Sequence, residues 1–282
     1  MLIALDSGVS ALVQFQQSLN VIGNNIANVD TVGYKGASMN FADAFSQTMG
    51  SNASGSMQVG TGVLTSAITN QFTQGSITST GVQTDMAVNG NGFFMVKDSV
   101  SGAQYVTRDG EFTVDASGYL VTNNGMRVQG FTDAGLTTMG DVKIDNTGAT
   151  MLDPISGLPV ADTSAVQSYS FASDGKLMVL LSDGTQFTRG QVLLQNFTNP
   201  QQLTKVGNNL FSGLTAAGPL ATLTAPNSNG LGSLVTGALE MSNVDLAGQL
   251  TSLITTQRAY EANTKVITTC DEILQDLVNL KR

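Results

Sequence analysis

Apolar residues return every seven positions at both ends of this chain, and every second position through much of its middle. In residues 1–28, Leu5, Leu12, Leu19 and Ile26 keep the seven-residue spacing, with Phe15 and Ile22 three residues after Leu12 and Leu19. That spacing predicts a helix carrying an a/d stripe. Gly8 and Gly23 interrupt it at about 1 kcal/mol each, so it is marginal as an isolated helix. At the other end Leu246, Leu253, Tyr260, Ile267 and Leu274 repeat the interval, and Leu250 and Val278 widen the stripe. Neither Gly nor Pro occurs from 249 to 282. Ser242 followed by Asp245 reads as an N-terminal cap with an acidic first turn, and Lys281 and Arg282 complement the C-terminal dipole. About 36 helical residues would make a rod of about 55 Å.

Between these ends the pattern is that of short strands. Residues 104–131 alternate around Asp109-Gly110, Ser117-Gly118 and Asn124-Gly125, and the rhythm returns at Asp174-Gly175 and Asp183-Gly184. Such pairs are hairpin-turn signals. Loops are expected at 46–62, 146–165 and 213–233, all rich in Gly, Ser, Thr, Asn or Pro. The predicted class is α+β. Terminal helices at 1–28 and 242–282 pair as a coiled coil, and 29–70 is a linker. A β-rich domain is formed from two separated stretches, 71–145 and 165–241, joined through a loop at 146–164.

Composition narrows what such a fold can do. The 282 residues include no His, no Trp, one Cys, 12 basic and 21 acidic side chains. Without His the commonest general base and transition-metal ligand is missing, and Cys270 alone builds neither a zinc cluster nor an intrachain disulfide. A formal charge of -9 makes nucleic acid or an anionic membrane a poor partner. That charge is unevenly placed. Residues 1–28 hold only Asp6, and 246–282 balance four acids with four bases, which leaves -8 between 29 and 245.

An amphipathic helix docked on a domain core is the plainer reading of each stripe. Two features favour self-assembly through the ends instead: the strict seven-residue interval, and the absence of any charge from residue 7 to 29. A helix surrounded by water normally carries Lys and Glu on its outer face. The start of the chain has no basic n-region and no continuous apolar run, so neither a secretory signal nor a membrane span is expected there. Composition by itself therefore suggests a cytoplasmic protein.

Candidate chemistry is sparse. Asn89-Gly90-Asn91-Gly92 imitates a phosphate loop, but strand-like residues follow where a helix N-terminus is required. The Asp-Gly pairs lack calcium-loop spacing. Ser and Thr have no His to activate them, and no nucleophile-elbow motif occurs. Cys270 is read as a small buried hydrophobe between stripe positions, and Thr264 and Asp271 as polar register-setting residues on the stripe. No catalytic, cofactor or metal site is expected, and the chain is not read as an enzyme.

Three longer motifs change the picture. SLNVIGNNIANVDTVGYK (18–35) contains Asn24, Asn25, Asn28, Gly33, Tyr34 and Lys35. DMAVNGNGFF spans 85–94. LEMSNVDLAGQLTSLITTQRAYEAN (239–263) contains Ser242, Asn243, Val244, Gln257, Arg258 and Tyr260. In this order the sequence resembles the bacterial flagellar rod and hook axial proteins. Within that family FADAF (41–45) and the ending VITTCDEILQDLVNLKR bring it nearest to a hook protein of short form, lacking the further domain that hook proteins usually insert near 146–164.

The resemblance implies a structural subunit of the flagellar hook. It would assemble with itself into a helical tube, a flexible universal joint that passes motor torque to the filament. The alternative is the distal rod protein, a rigid drive shaft. The terminal helices would line the inner tube, 29–70 would bridge subunits, and the β domain would lie outside. Implied partners are copies of itself, the distal rod, hook cap and hook–filament junction proteins, and the flagellar type III export apparatus. Export would need no cleaved signal peptide, which moves the expected location from the cytoplasm to the extracellular flagellum. A secreted glycan-binding module would leave the paired heptad ends without a role, and a carboxylate-only hydrolase would need two acids converging in a cleft, which nothing in the sequence suggests.

Overall fold

The computed structural model describes residues 2–52, 55–152, 159–161, 164–220 and 223–280. The chain divides into two compact units. One comprises Met1–Val29, Lys35–Gln71 and Val244–Arg282; the other comprises Asp30–Tyr34 and Phe72–Asn243.

The first unit holds the two helices, Leu2–Ala27 and Leu246–Leu280. The second helix begins one residue after Asp245, whose carboxylate accepts from the backbone N–H groups of Ala247 at 3.1 Å and Gly248 at 3.2 Å. Asp245 is therefore the N-cap, not Ser242, because its side chain reaches the two amides that lack helical acceptors. Lys281 and Arg282 lie outside the described residues. The helices run antiparallel, since Gly8 lies against Ile267 while the Asn25 amide reaches Gln249.

Beside the helices stands a long two-stranded ribbon. Ala37–Asp43 pairs with Val63–Asn70, and Ser46–Asn52 pairs with Gly55–Gly60, both antiparallel. Between the pairs, the Ala44 N–H donates to the Gly62 carbonyl at 2.8 Å and the Thr61 N–H to the Phe45 carbonyl at 3.2 Å. The linker read at 29–70, with its loop at 46–62, is thus mostly paired strand. Register shifts at Asn40/Phe41 and Thr48/Gly50 break the two-residue period, which is why alternation was hidden in the sequence. One face of the ribbon meets the first helix. The Phe15 and Phe41 rings are 5.9 Å apart, and the Thr65 hydroxyl donates to the Gln17 side chain at 3.0 Å.

The second unit is built on a sheet whose main path runs 166–171, 176–181, 186–192, 127–131, 93–97, 104–107, 210–212 and 204–207. Strands from both separated stretches interleave there. Phe93–Lys97 is the central strand, and both its faces are covered. Phe94 and Val96 enter a large core with Phe112, Leu120, Leu177 and Leu181, while Phe93 and Met95 join Phe197, Leu203 and Phe211 on the other side. That explains why FFMV reads as an unbroken apolar run rather than an alternation. The unit's first strands close on its last: Ile77–Ser79 pairs with Ala238–Glu240, and Met86–Asn89 with Ser233–Thr236.

Four of the five turn signals join paired strands, with Gly118, Gly125, Gly175 and Gly184 in the left-handed region. Asp109-Gly110 does not. The strands flanking it pair elsewhere, and a Cβ on Gly110 would lie 1.6 Å from the Met86 carbonyl oxygen. Gly110 is there for close backbone approach: its own carbonyl accepts from the Met86 N–H at 3.0 Å. The loop expected at 146–165 contains a short strand pair, Thr150–Leu152 with Pro159–Ala161. Residues 153–158 and 162–163 within it lie outside the described residues.

These contacts separate two kinds of glycine. Gly110→Ala should cost about 3 kcal/mol or more through overlap with the backbone of strand 86–89. Gly125→Ala faces open space and should cost only the left-handed penalty of about 1–2 kcal/mol. Urea unfolding midpoints of the two variants measure the difference, and equal losses would contradict the packing described.

Candidate assembly surfaces

Sequence periodicity among apolar residues finds only half of the helix seam. On the first helix Gly8, Ser18, Ile22 and Asn25 are buried, and Leu5, Ala11, Leu12, Phe15, Leu19 and Ile26 are half-buried. On the second, Leu253, Ile267 and Leu274 are half-buried. So are Gln249, Thr256 and Asn263, while Cys270 is buried. Gln249, Thr256, Asn263 and Cys270 are themselves seven apart, and form the polar half of the repeat. Cys270, expected between stripe positions, therefore lies on the stripe, three residues after Ile267. Thr264 and Asp271, expected on it, are exposed.

Other residues of the expected stripe face outward. Leu246, Leu250 and Tyr260 are exposed, and Val278 is 67% accessible. At 100° per residue, Leu246, Leu250 and Ile254 run along one flank of the seam, and Val266, Ile273, Leu277 and Leu280 along the other. The helix thus keeps apolar surface on both sides of the seam that this chain does not cover. Among the described residues no helix is long and apolar enough to cross a membrane.

The motif at 18–35 serves local structure in two ways. Asn25, 3% exposed, forms a two-way clamp: its Nδ2 donates to the Ala37 carbonyl at 2.8 Å and its Oδ1 accepts from the Ala37 N–H at 3.0 Å. The same Nδ2 donates to Gln249 Oε1 at 3.2 Å. One carboxamide therefore ties the first helix to the ribbon and to the second helix. Asn24 and Asn28 are bonded at the helix end, with Asn28 Nδ2 donating to the Asn24 carbonyl at 2.9 Å.

Gly33 and Tyr34 belong to the β unit. Gly33 is left-handed at φ +67, and a Cβ there would lie 2.5 Å from the Asp109 nitrogen. Its N–H donates to the Glu240 carbonyl at 2.7 Å. Tyr34 is buried beneath the Lys205 ammonium, 4.2 Å from the ring centroid, and burial pushes its hydroxyl above the ordinary tyrosine range. Asn209, left-handed at φ 56, donates its amide to the Val32 carbonyl at 2.7 Å. Lys35 is buried.

Residues 239–243 meet the strap formed by Asp30–Tyr34. The Asn243 N–H donates to the Tyr34 carbonyl at 3.4 Å, and its side chain donates to Thr73 Oγ1 at 2.9 Å. Ser242 is buried and Val244 half-buried, whereas Gln257 and Arg258 are exposed, Arg258 pairing with Glu261 at 2.8 Å. Such an exposed pair contributes little.

Sequence reasoning missed two deeply buried charges that face each other. Arg108 is 4% exposed and Glu240 0%. The guanidinium donates to Glu240 Oε2 at 3.0 Å, to the Val88 carbonyl at 3.3 Å and to the Gly90 carbonyl at 2.7 Å, with the Phe93 ring 5.1 Å away. Glu240 Oε1 accepts from the Gly75 N–H at 2.9 Å. Burial lowers the Arg108 pKa from its ordinary value, and the Glu240 charge opposes that shift. The available signal was local: a lone acid inside the apolar strand Ala238–Glu240.

Next to Arg108, Asp109 is half-buried, and desolvation raises its carboxyl to about 6, with Glu111 and Asp85 adding like charge. Among the described residues no group of three His, Cys, Asp or Glu is placed to hold a metal ion.

Comparison with known proteins matches all three motif regions. A family model described as flagella basal body rod protein matches residues 5–35. One described as flagellar hook protein FlgE/F/G D1 domain matches 87–179. One described as flagellar basal body rod FlgEFG protein C-terminal matches 235–280. The flagellar basal-body rod protein FlgG of Bacillus subtilis is 38% identical over 290 aligned residues, covering 100% of both chains. The FlgG protein of Buchnera aphidicola subsp. Baizongia pistaciae is 36% identical over 272, covering 93% of each. The flagellar hook protein FlgE of Borreliella burgdorferi is 26% identical, but over 446 aligned residues, with 100% of each covered. The crystal structure of Helicobacter pylori flagellar hook protein FlgE2 matches at a TM-score of 0.23 and 16% identity, covering 49% of this chain and 39% of that one.

Two outcomes follow from the geometry. Asn25→Ala should cost about 2 kcal/mol by stranding the Ala37 backbone groups, and Asn24→Ala no more than about 0.5 kcal/mol; helix melting by circular dichroism measures both. Between about pH 4 and 6 the folded chain keeps a proton on Asp109 that the unfolded chain has lost. Stability should therefore fall as pH rises through that window, by on the order of 2 kcal/mol. Asp109→Asn should remove this part of the slope in urea titrations at stepped pH.

Proposed function

Because the chain belongs to the flagellar rod and hook axial protein family, whose members are structural rather than enzymatic, we propose that it is the distal rod protein, a subunit of the rigid drive shaft of the basal body. The observation that carries this reading is length in alignment. The chain runs end to end with the Bacillus subtilis rod protein over 290 aligned residues, whereas the Borreliella hook protein needs 446. The short strand pair at 150–152 and 159–161 agrees, since it leaves no room for a further inserted domain. The hook reading rests partly on the C-terminal ending, but residues 266–280 of it lie within the match to a model described for FlgE, FlgF and FlgG together, so that part does not separate the branches.

In this reading the two terminal helices line the inner tube, and their flanking apolar rows meet neighbouring copies. Coiled-coil contact between Leu5, Leu12, Phe15, Leu19, Ile22 and Ile26 and the stripe at Leu253, Ile267 and Leu274 holds the assembled wall. Heterologous contacts that do not close into a ring build such a helical polymer. The ribbon at 37–70 bridges subunits, supported by exposed Phe45, Leu64 and Ile68 along it. The β unit lies outside. Partners are further copies and the adjoining axial proteins, and export proceeds through the flagellar type III apparatus without a cleaved signal peptide.

Electron microscopy of basal bodies from a deletion strain tests the assignment. The expected particle ends within the rod. A completed rod that merely lacks its hook would return the chain to the hook branch.

A further inference from the structure

The β unit is assembled from its two ends. Strand 86–89, whose Met86, Ala87 and Val88 are fully buried, takes its strand partner from residues 233–236, and 77–79 takes its partner from 238–240. Three of the groups around the Arg108 guanidinium lie close to it in sequence: the Val88 and Gly90 carbonyls and the Phe93 ring. The counter-charge does not. Glu240 is 132 residues further along, and it also receives the N–H groups of Gly75 and, through its carbonyl, Gly33.

We propose that Glu240 is the closure residue of the β unit, so that a chain presented N-terminus first stays open around Arg108 until residue 240 arrives. The reason is electrostatic. A buried guanidinium without its carboxylate is strongly unfavourable, and carbonyl dipoles alone do not replace a full charge. The core around strand 93–97 therefore cannot close over Arg108 ahead of Glu240. The same residue pins the strap at Gly33 and the segment at Gly75, so three chain segments become fixed in one event. This holds whether the chain is delivered by a ribosome or through a channel, and does not depend on whether it is a rod or a hook subunit.

Pulsed hydrogen exchange during refolding of the full chain tests the order. The amides of Gly33 and Gly75 should gain protection in the last kinetic step, together with Gly237, which donates to the Asp85 carbonyl. Ala172 and Leu181, bonded within the 166–192 hairpins, should be protected earlier. Protection of Gly33 and Gly75 as early as that of Ala172 and Leu181 would overturn the proposal.

Equilibrium unfolding of full-length variants tests the cause. Glu240→Leu should lower the folded-to-unfolded ratio by roughly a hundredfold or more. The double variant Arg108→Met with Glu240→Leu should recover at least about tenfold of that, because the Arg108 charge is no longer stranded. A double variant no better than Glu240→Leu would show that charge closure is not what Glu240 supplies, including where Glu240→Leu fails to fold at all.

Discussion

Taking a guanidinium and a carboxylate out of water costs several kcal/mol for each ion, and only close counter-charge with further hydrogen bonds offsets it. In the β unit that requirement organises the surroundings. Arg108 needs the carbonyls of Val88 and Gly90, so strand 86–89 and the Asn-Gly turn after it must lie where they do. Glu240 needs the Gly75 N–H, so the segment before the first strand is drawn in as well. Gly110, which admits no side chain, lets the backbone after Arg108 approach strand 86–89. The pair thus acts less as a contribution to stability than as a specification of which backbone segments meet.

The pairing of the two helices obeys the opposite principle. Its seam carries no formal charge, and order is imposed by small residues and amides: Gly8 admits Ile267, and Asn25 satisfies both backbone groups of Ala37. Packing here is permissive toward further copies, because the apolar rows at Leu246 to Ile254 and Val266 to Leu280 remain uncovered within one chain. A unit that fixes its own topology through buried charge is thereby combined with one that leaves surface for others.

Much of this was legible in the sequence, and the failures have physical causes. The helices were legible because their apolar repeat is long. The seam was only half legible, because Gln249, Thr256, Asn263 and Cys270 keep the same interval without being apolar. Four turns were legible from left-handed glycines, whereas Gly110 looked identical in sequence and serves close approach instead. The ribbon was hidden by two register shifts, each of which inverts the alternation that marks a strand. Arg108 and Glu240 could not be paired by any local pattern, since no spacing rule links residues brought together by tertiary closure.

The uncharged seam has a consequence for the surroundings in which the molecule works. Screening by dissolved ions weakens attraction between charges and leaves dispersion and neutral hydrogen bonds almost untouched. Contacts made by Ile22, Asn25, Gln249 and Ile267 offer counterions nothing to neutralise. Their cohesion is accordingly insensitive to charge screening, and dissolved salt acts on it only through the strength of apolar burial.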